Sequence, residues 1–283
     1  MGDSNVVLYE QNAGVARVTM NRPKYRNAQN SAMTYALDRA FSMAGHDDDV
    51  HVIVLSGAGP HFSAGHDIGS PEVDRDQSFP RIGLWWDHVG ASGAEGRIAR
   101  EHEVYLDLCL RWRELPKPTI AMVQGACIAG GLALAWACDL IVCADDAFFA
   151  DPVLRMGAPG IEYFAHPWEL GPRFAKEFLF GGARVDAGRA RELGMVNRVV
   201  PLATLEQETM ALAHKIAAMP RMALALAKQA VNRAQDAMGF RQGIETAFAL
   251  HQLAHAHAQE ISGHHLLGAT ATSMAAVTEQ ASE

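Results

Sequence analysis

The sequence offers little to a polyanion, a membrane or an oxidising compartment. Its 283 residues carry 24 Lys and Arg against 32 Asp and Glu, a formal net charge of −8. That balance argues against nucleic acid or an anionic membrane as the main partner, while leaving room for an anionic small molecule held by local basic groups. No apolar run approaches the roughly 20 residues that cross a bilayer. The amino-terminal MGDSNVVLYE lacks a basic stretch followed by an apolar core, so no secretory signal is expected. The four cysteines, Cys109, Cys127, Cys138 and Cys143, form no C-x-x-C pair and sit in apolar surroundings. Buried free thiols in a reducing compartment are the expectation, and with them a cytoplasmic protein of one large domain, or one domain with a small appendage.

Several functional signatures are also missing. GACIAGGLAL, from Gly125 to Leu134, has the glycine content of a phosphate-binding turn, but Gly131 stands where G-x-x-x-x-G-K-[ST] requires its lysine. GAGPHF lacks the third glycine of a dinucleotide fingerprint and the helix that should follow it. HFSAGHD is not G-x-S-x-G, and no His/Asp partner pattern accompanies Ser63. His251 and His255 have the i, i+4 spacing of metal ligands on a helix, yet no third ligand with matching spacing is evident. The expectation is a solvated helix face and no metal.

What is present reads as a mainly parallel α/β core. VVLYE and GVARVTM, split by QNAG, predict a hairpin; Met33, Leu37 and Phe41 recur every four residues, as in an amphipathic helix. VHVIVLSG, TIAMV and LIVCA are near-continuous apolar strands, buried on both faces, alternating with the helical segments AREHEVYLDLCLRWREL and LALAWACD. From Gly171 onward helices dominate. The stretch 69–98, with Trp85 and Trp86, is a long insertion of the kind that is functional or mobile; its tryptophans could wall a pocket or fold over the core. We divide the chain into an α/β core (1–200), a helical region (201–262) and a tail (263–283) expected to be poorly ordered or partner-dependent.

Two glycine-bearing turns, FSAGHD and GACIAGG, each follow a buried strand. One backbone N–H from each could converge on a single oxygen and form an oxyanion hole, which needs close backbone approach and no cation. Close helix–strand packing is the simpler use of such glycines.

The segments NRPKYRNA, HFSAGHDI, KPTIAMVQGACIAGG, CDLIVCADDAFFADP and ARELGMVNRVVP, in this order and spacing, resemble the enoyl-CoA hydratase/isomerase (crotonase) superfamily over about Val6 to Val231. The resemblance implies a spiral of ββα units with a helical C-terminal trimerisation region, hence a homotrimer or dimer of trimers. It implies an acyl-CoA substrate, with coenzyme A arriving as part of the thioester and no separate cofactor. The carbonyl-polarising N–H donors fall on His66 and Gly130. Lys24 to Ala28 (with Arg26 as a phosphate partner) and the backbone of Ala64, Gly65 and His66 match where the family holds CoA.

The departures bear on the reaction. Family hydratases carry one glutamate three residues after the oxyanion glycine and another directly after the proline of a later junction; here these are Ala133 and Val153. ISGHHLLGATATS replaces the family's charged C-terminal motif. Glu162, in APGIEYFAHP, lies in the loop that carries an active-site carboxylate in related isomerases and dehalogenases, so we take His66, Gly130 and Glu162 as the catalytic candidates. A solvated Glu162 is the bland alternative, and the His66 ring could point to solvent. Asp151 reads as a turn-former and Asp67 as tying down its own loop. An enzyme of the family that stabilises a thioester enolate but hydrates poorly is expected; an isomerase or hydrolase using Glu162, or a non-catalytic acyl-CoA binder, are the rivals.

Overall fold

The structure is a computed structural model and describes residues 5–267; most of the tail, 268–283, lies outside the described residues. The predicted hairpin is β1 (Val7–Asn12) with β2 (Val15–Met20), followed by α1 (Ser31–His46) and β3 (Val52–Gly57). After the insertion, α2 (Gly93–Glu101) runs through a π-helical turn, 102–107, into α3 (Leu108–Arg113). Then come β4 (Thr119–Val123), β5 (Ala126–Ile128), α4 (Gly130–Trp136), β6 (Leu140–Ala144) and β7 (Phe148–Ala150). Next are α5 (His166–Leu170), α6 (Pro172–Gly181), β8 (Val185–Asp186), α7 (Ala187–Glu192) and β9 (Arg198–Val200). Three longer helices close the described chain: α8 (Leu205–Ala217), α9 (Arg221–Ala237) and α10 (Phe240–Ser262).

Six strands form one sheet in the order β1-β2-β3-β4-β6-β9, parallel except for the hairpin pair. The near-continuous apolar runs follow from what covers it. Ile53, Leu55, Ala121 and Val123 face the cluster that contains Met33, Leu37 and Phe41 of α1. Their neighbours Val52, Val54, Ile120 and Met122 face Leu205, Ala213 and Ala217 of α8. With a helix on each face, every position of the strand gains from being apolar.

A second, three-stranded sheet, β5-β7-β8, is made of segments of two or three residues. Here the structure departs from the sequence reading, which took GACIAGG as one glycine turn: Ala126–Ile128 is a strand, paired in parallel with Phe148–Ala150. Strands this short show no alternation, so only tertiary pairing reveals them. Each passage from main sheet to second sheet to helix, as in β4-β5-α4, is one ββα unit of the expected spiral.

The insertion is held at its base. Both Asp74 oxygens accept hydrogen bonds from the first backbone N–H groups of α1, Ser31 and Ala32, at 2.7 Å each. The Asn30 side chain caps Met33 N in the same turn. No helix among the described residues is long and apolar enough to cross a membrane. In the isolated chain α9 and α10 leave Met222, Leu226, Val231, Leu250, Leu253 and Ile261 exposed.

Candidate active site

A cavity of about 870 Å³ opens between the first glycine turn, the insertion, the loop after β7 and α10; Lys24, Arg26, Ala28, Ala64 and His66 all line it. Backbone pairing explains their proximity. Ala64 N donates to Arg26 O (2.9 Å), Gln29 N to Gly65 O (2.8 Å) and Asp67 N to Gln29 O (2.9 Å), so the 26–29 segment runs alongside the first turn. On its other side that turn is zipped onto β5: Ser63 N donates to Ala126 O (3.0 Å) and Ile128 N to Ser63 O (2.9 Å).

This ladder drives Gly65 against the second turn. Gly65 has φ +95°, and a Cβ there would lie 2.9 Å from Ile128 O and 3.1 Å from Gly130 N. Only glycine admits both the dihedral and the approach. The first turn, which continues into His66, is thereby held against the start of α4 at Gly130. Neither the His66 N–H nor the Gly130 N–H has a hydrogen-bond partner among the described residues. Ala129, which leads into Gly130, takes φ 48° and ψ −115°, a costly conformation for a residue with a Cβ.

Below the turn, Asp67 accepts from Ser70 N, Ser70 Oγ and Arg22, a buried pair at 3.0 Å. Burial raises the Asp67 carboxyl, but the Ser70 and Arg22 hydrogen bonds outweigh it and leave the group more acidic than usual. Asp67 thus does tie down its own loop.

The side chains of His66 and Glu162, 96 residues apart, meet at 2.9 Å between Nε2 and Oε2. Two alternatives raised by the sequence fall here. Glu162 is not a solvated loop residue but 6% exposed, and the His66 ring turns inward, stacked on Tyr105 with centroids 3.6 Å apart. Burial raises Glu162, yet the charge and hydrogen bond of His66, aided by His251, hold it below the usual carboxylate range. The ring also lies over Gly130: a Cβ at that position would meet His66 Cε1 at 2.5 Å and Nδ1 at 2.7 Å.

Asp151 and His166 carry the loop that delivers Glu162. The His166 Nε2–Asp151 Oδ2 pair (2.8 Å) has no solvent exposure on either side chain. Asp151 also accepts from Val153 N and Ile161 N, so the turn-former reading holds, extended by a buried contact with the His166 ring.

The tryptophans do not wall the cavity as lining residues. Trp85 stacks on His102 (5.0 Å) and Trp86 is half exposed. The insertion contributes other residues, among them Arg75, His88 and Arg97. Of the two positions that lack a glutamate, Val153 lines the cavity and Ala133 is buried in α4. His251 and His255 contradict the expectation of a solvated face: both are buried, and both line the cavity with Glu101. Tyr105 and Glu101 had no sequence signal; the π-helical turn that follows α2 carries Tyr105 to the His66 ring.

A sequence model of the enoyl-CoA hydratase/isomerase family matches residues 10–79 and 89–266. The chain belongs to the enoyl-CoA hydratase/isomerase family. The nine family-unmatched residues, 80–88, fall inside the insertion. EchA13 of Mycobacterium tuberculosis, named for enoyl-CoA hydratase, is 46% identical over 88% of this chain and 80% of its own length. A solved Mycobacterium smegmatis structure described as an enoyl-CoA hydratase superposes with TM-score 0.84 at 46% identity, over 93% of this chain and all of that one. An enoyl-CoA hydratase/isomerase from Xanthobacter autotrophicus Py2 gives TM-score 0.78 at 32% identity, over 98% and 97% of the two chains.

In this family member it is the His66 ring that leaves room for nothing but glycine at 130. Gly130→Ala is expected to push the imidazole off Glu162 and to lower stability by about 1–3 kcal/mol, the usual range for overpacking. Urea denaturation of variant and wild type reads this directly; equal midpoints at equal slopes would show that the ring is not held there.

Proposed function

We propose that this family member polarises an acyl-CoA thioester carbonyl between the N–H groups of His66 and Gly130 and stabilises the resulting enolate. Coenzyme A lies along Lys24 to Ala28 and Ala64 to His66, with Arg26 toward phosphate, and no separate cofactor takes part. The observation that carries the reading is the partly buried His66–Glu162 pair on the cavity wall, beside the two unpartnered N–H groups.

Glu162 is kept ionised at neutral pH by its surroundings. Of the two groups the imidazole is therefore the one that takes up and returns a proton, while Glu162 fixes its orientation and compensates its charge. One such pair serves a reaction that removes a proton from one carbon of the acyl group and returns it to another. Hydration by the two-carboxylate route needs a second pair of oxygens, and Ala133 and Val153 supply none. The site thus favours isomerisation, or another enolate-forming step, over hydration.

The protein is proposed to act in the cytoplasm as a homotrimer or dimer of trimers, with the exposed apolar residues of α9 and α10 covered by neighbouring copies. Sedimentation at micromolar concentration should show three or six chains; a monomer would end that part of the reading.

Crotonyl-CoA hydration by wild type is expected to be slower than that of a two-glutamate hydratase by roughly 10²–10⁴-fold for each missing acid–base group. The paired change Ala133→Glu with Val153→Glu should raise it. Double-bond migration in a 3-enoyl-CoA should fall by about 10²-fold or more in Glu162→Gln and His66→Ala. Rapid hydration by wild type, or isomerisation untouched by both substitutions, would overturn the assignment.

A further inference from the structure

We propose that Glu101, His251 and His255 form a binding site for a divalent transition-metal ion, zinc foremost, in the wall of the same cavity. The three ligand atoms lie within 4.8 Å of one another, on side chains that are all buried. The two histidines sit one turn apart on α10, so both rings leave the same face of the helix. Glu101 comes from the end of α2, 150 residues earlier in the chain.

The orientation of each ring is that of a ligating histidine. His251 Nδ1 donates to Gly160 O at 2.9 Å, and His255 Nδ1 donates to His265 O at 2.7 Å. A carbonyl only accepts, so both Nδ1 atoms carry a proton, and in the neutral rings both Nε2 atoms are the lone-pair atoms that a metal ion would take, in competition with the proton that His255 shares with Glu101. Metal-bound histidines are held by such outer hydrogen bonds. The carboxylate is treated likewise: Gln252 Nε2 donates to Glu101 Oε2 at 2.6 Å, while Oε1 stands 3.5 Å from His255 Nε2.

His251 Nε2 makes no close contact with a carboxylate. The nearest carboxylate oxygen to His251 Nε2 is Glu162 Oε1 at 3.7 Å, beyond hydrogen-bond reach. A zinc ion with ligands at about 2.0–2.2 Å would draw the three atoms inward by roughly 1 Å, a side-chain adjustment. Two imidazoles and one carboxylate with a position to spare is the donor set of zinc rather than of calcium or magnesium, which take oxygen ligands. All three residues line the cavity, so water or an oxygen of a bound molecule can complete the shell. Glu101 and Glu162 together offset the ion's double charge. The inference does not depend on the acyl-CoA reading.

The test uses the full chain, stripped with a chelator and titrated with zinc chloride in a calorimeter. One ion per chain is expected. Glu101→Gln and His251→Ala should each weaken binding at least as much as the loss of an outer-sphere partner, about 10–100-fold. His257→Ala, at an exposed position on the same helix, should bind like wild type. Cobalt substitution should give visible absorption that disappears in the two ligand variants. If His251→Ala does not fold, His255→Gln takes its place. No saturable binding by wild type, unchanged binding by Glu101→Gln, or equal weakening by His257→Ala would each overturn the site.

Discussion

The arrangement of this cavity depends on one backbone contact, the ladder that joins residues 63–65 to β5. It brings Gly65 so close to the second turn that a Cβ would stand 3.1 Å from Gly130 N. Because the contact is made by peptide groups, it leaves no freedom for side-chain rearrangement to move the two N–H donors apart. The buried Arg22–Asp67 pair locks the first turn from below, and the start of α4 fixes the second. Everything on the walls is then placed relative to a fixed point. The proposed hole is preorganised in the sense that matters for electrostatic stabilisation, since no reorganisation accompanies charge development.

Around that point the charges are arranged unlike those of a two-carboxylate site. Two of the buried carboxylates that line the cavity face an imidazole: Glu162 meets His66 at 2.9 Å, and Glu101 meets His255 at 3.5 Å. A buried carboxylate left alone would become neutral or destabilise the fold. Pairing keeps Glu162 ionised; in the reaction proposed, His66 carries the proton. Where family hydratases carry glutamates this chain has Ala133 and Val153, and the proposed acid–base partnership in the same cavity is the His66–Glu162 pair.

Much of this was legible in the residues, and the limits have physical causes. Strands of the main sheet announced themselves because two helical faces force them to be apolar at every position. The second sheet did not, since three-residue strands carry no period. The glycine turns were visible, and resemblance placed the donors on His66 and Gly130. Resemblance also picked out Glu162, but not its partner, because contact across 96 residues leaves no local trace. His251 and His255 showed the spacing of ligands and were read as solvated, since their burial and the approach of Glu101 are properties of packing alone. Tyr105 reaches the site through a π-helical turn that no apolar pattern signals.

In the reaction proposed, an enolate forms between the two backbone donors, with His66 carrying the proton and Glu162 orienting its ring. Exchange of the α-protons of butyryl-CoA in D₂O, followed by NMR, tests it without requiring knowledge of the natural substrate. Wild type should wash deuterium into the α-position, and Glu162→Gln and His66→Ala, shown to be folded, should lose that exchange. Absence of exchange in wild type, or exchange that survives both substitutions, would contradict the account.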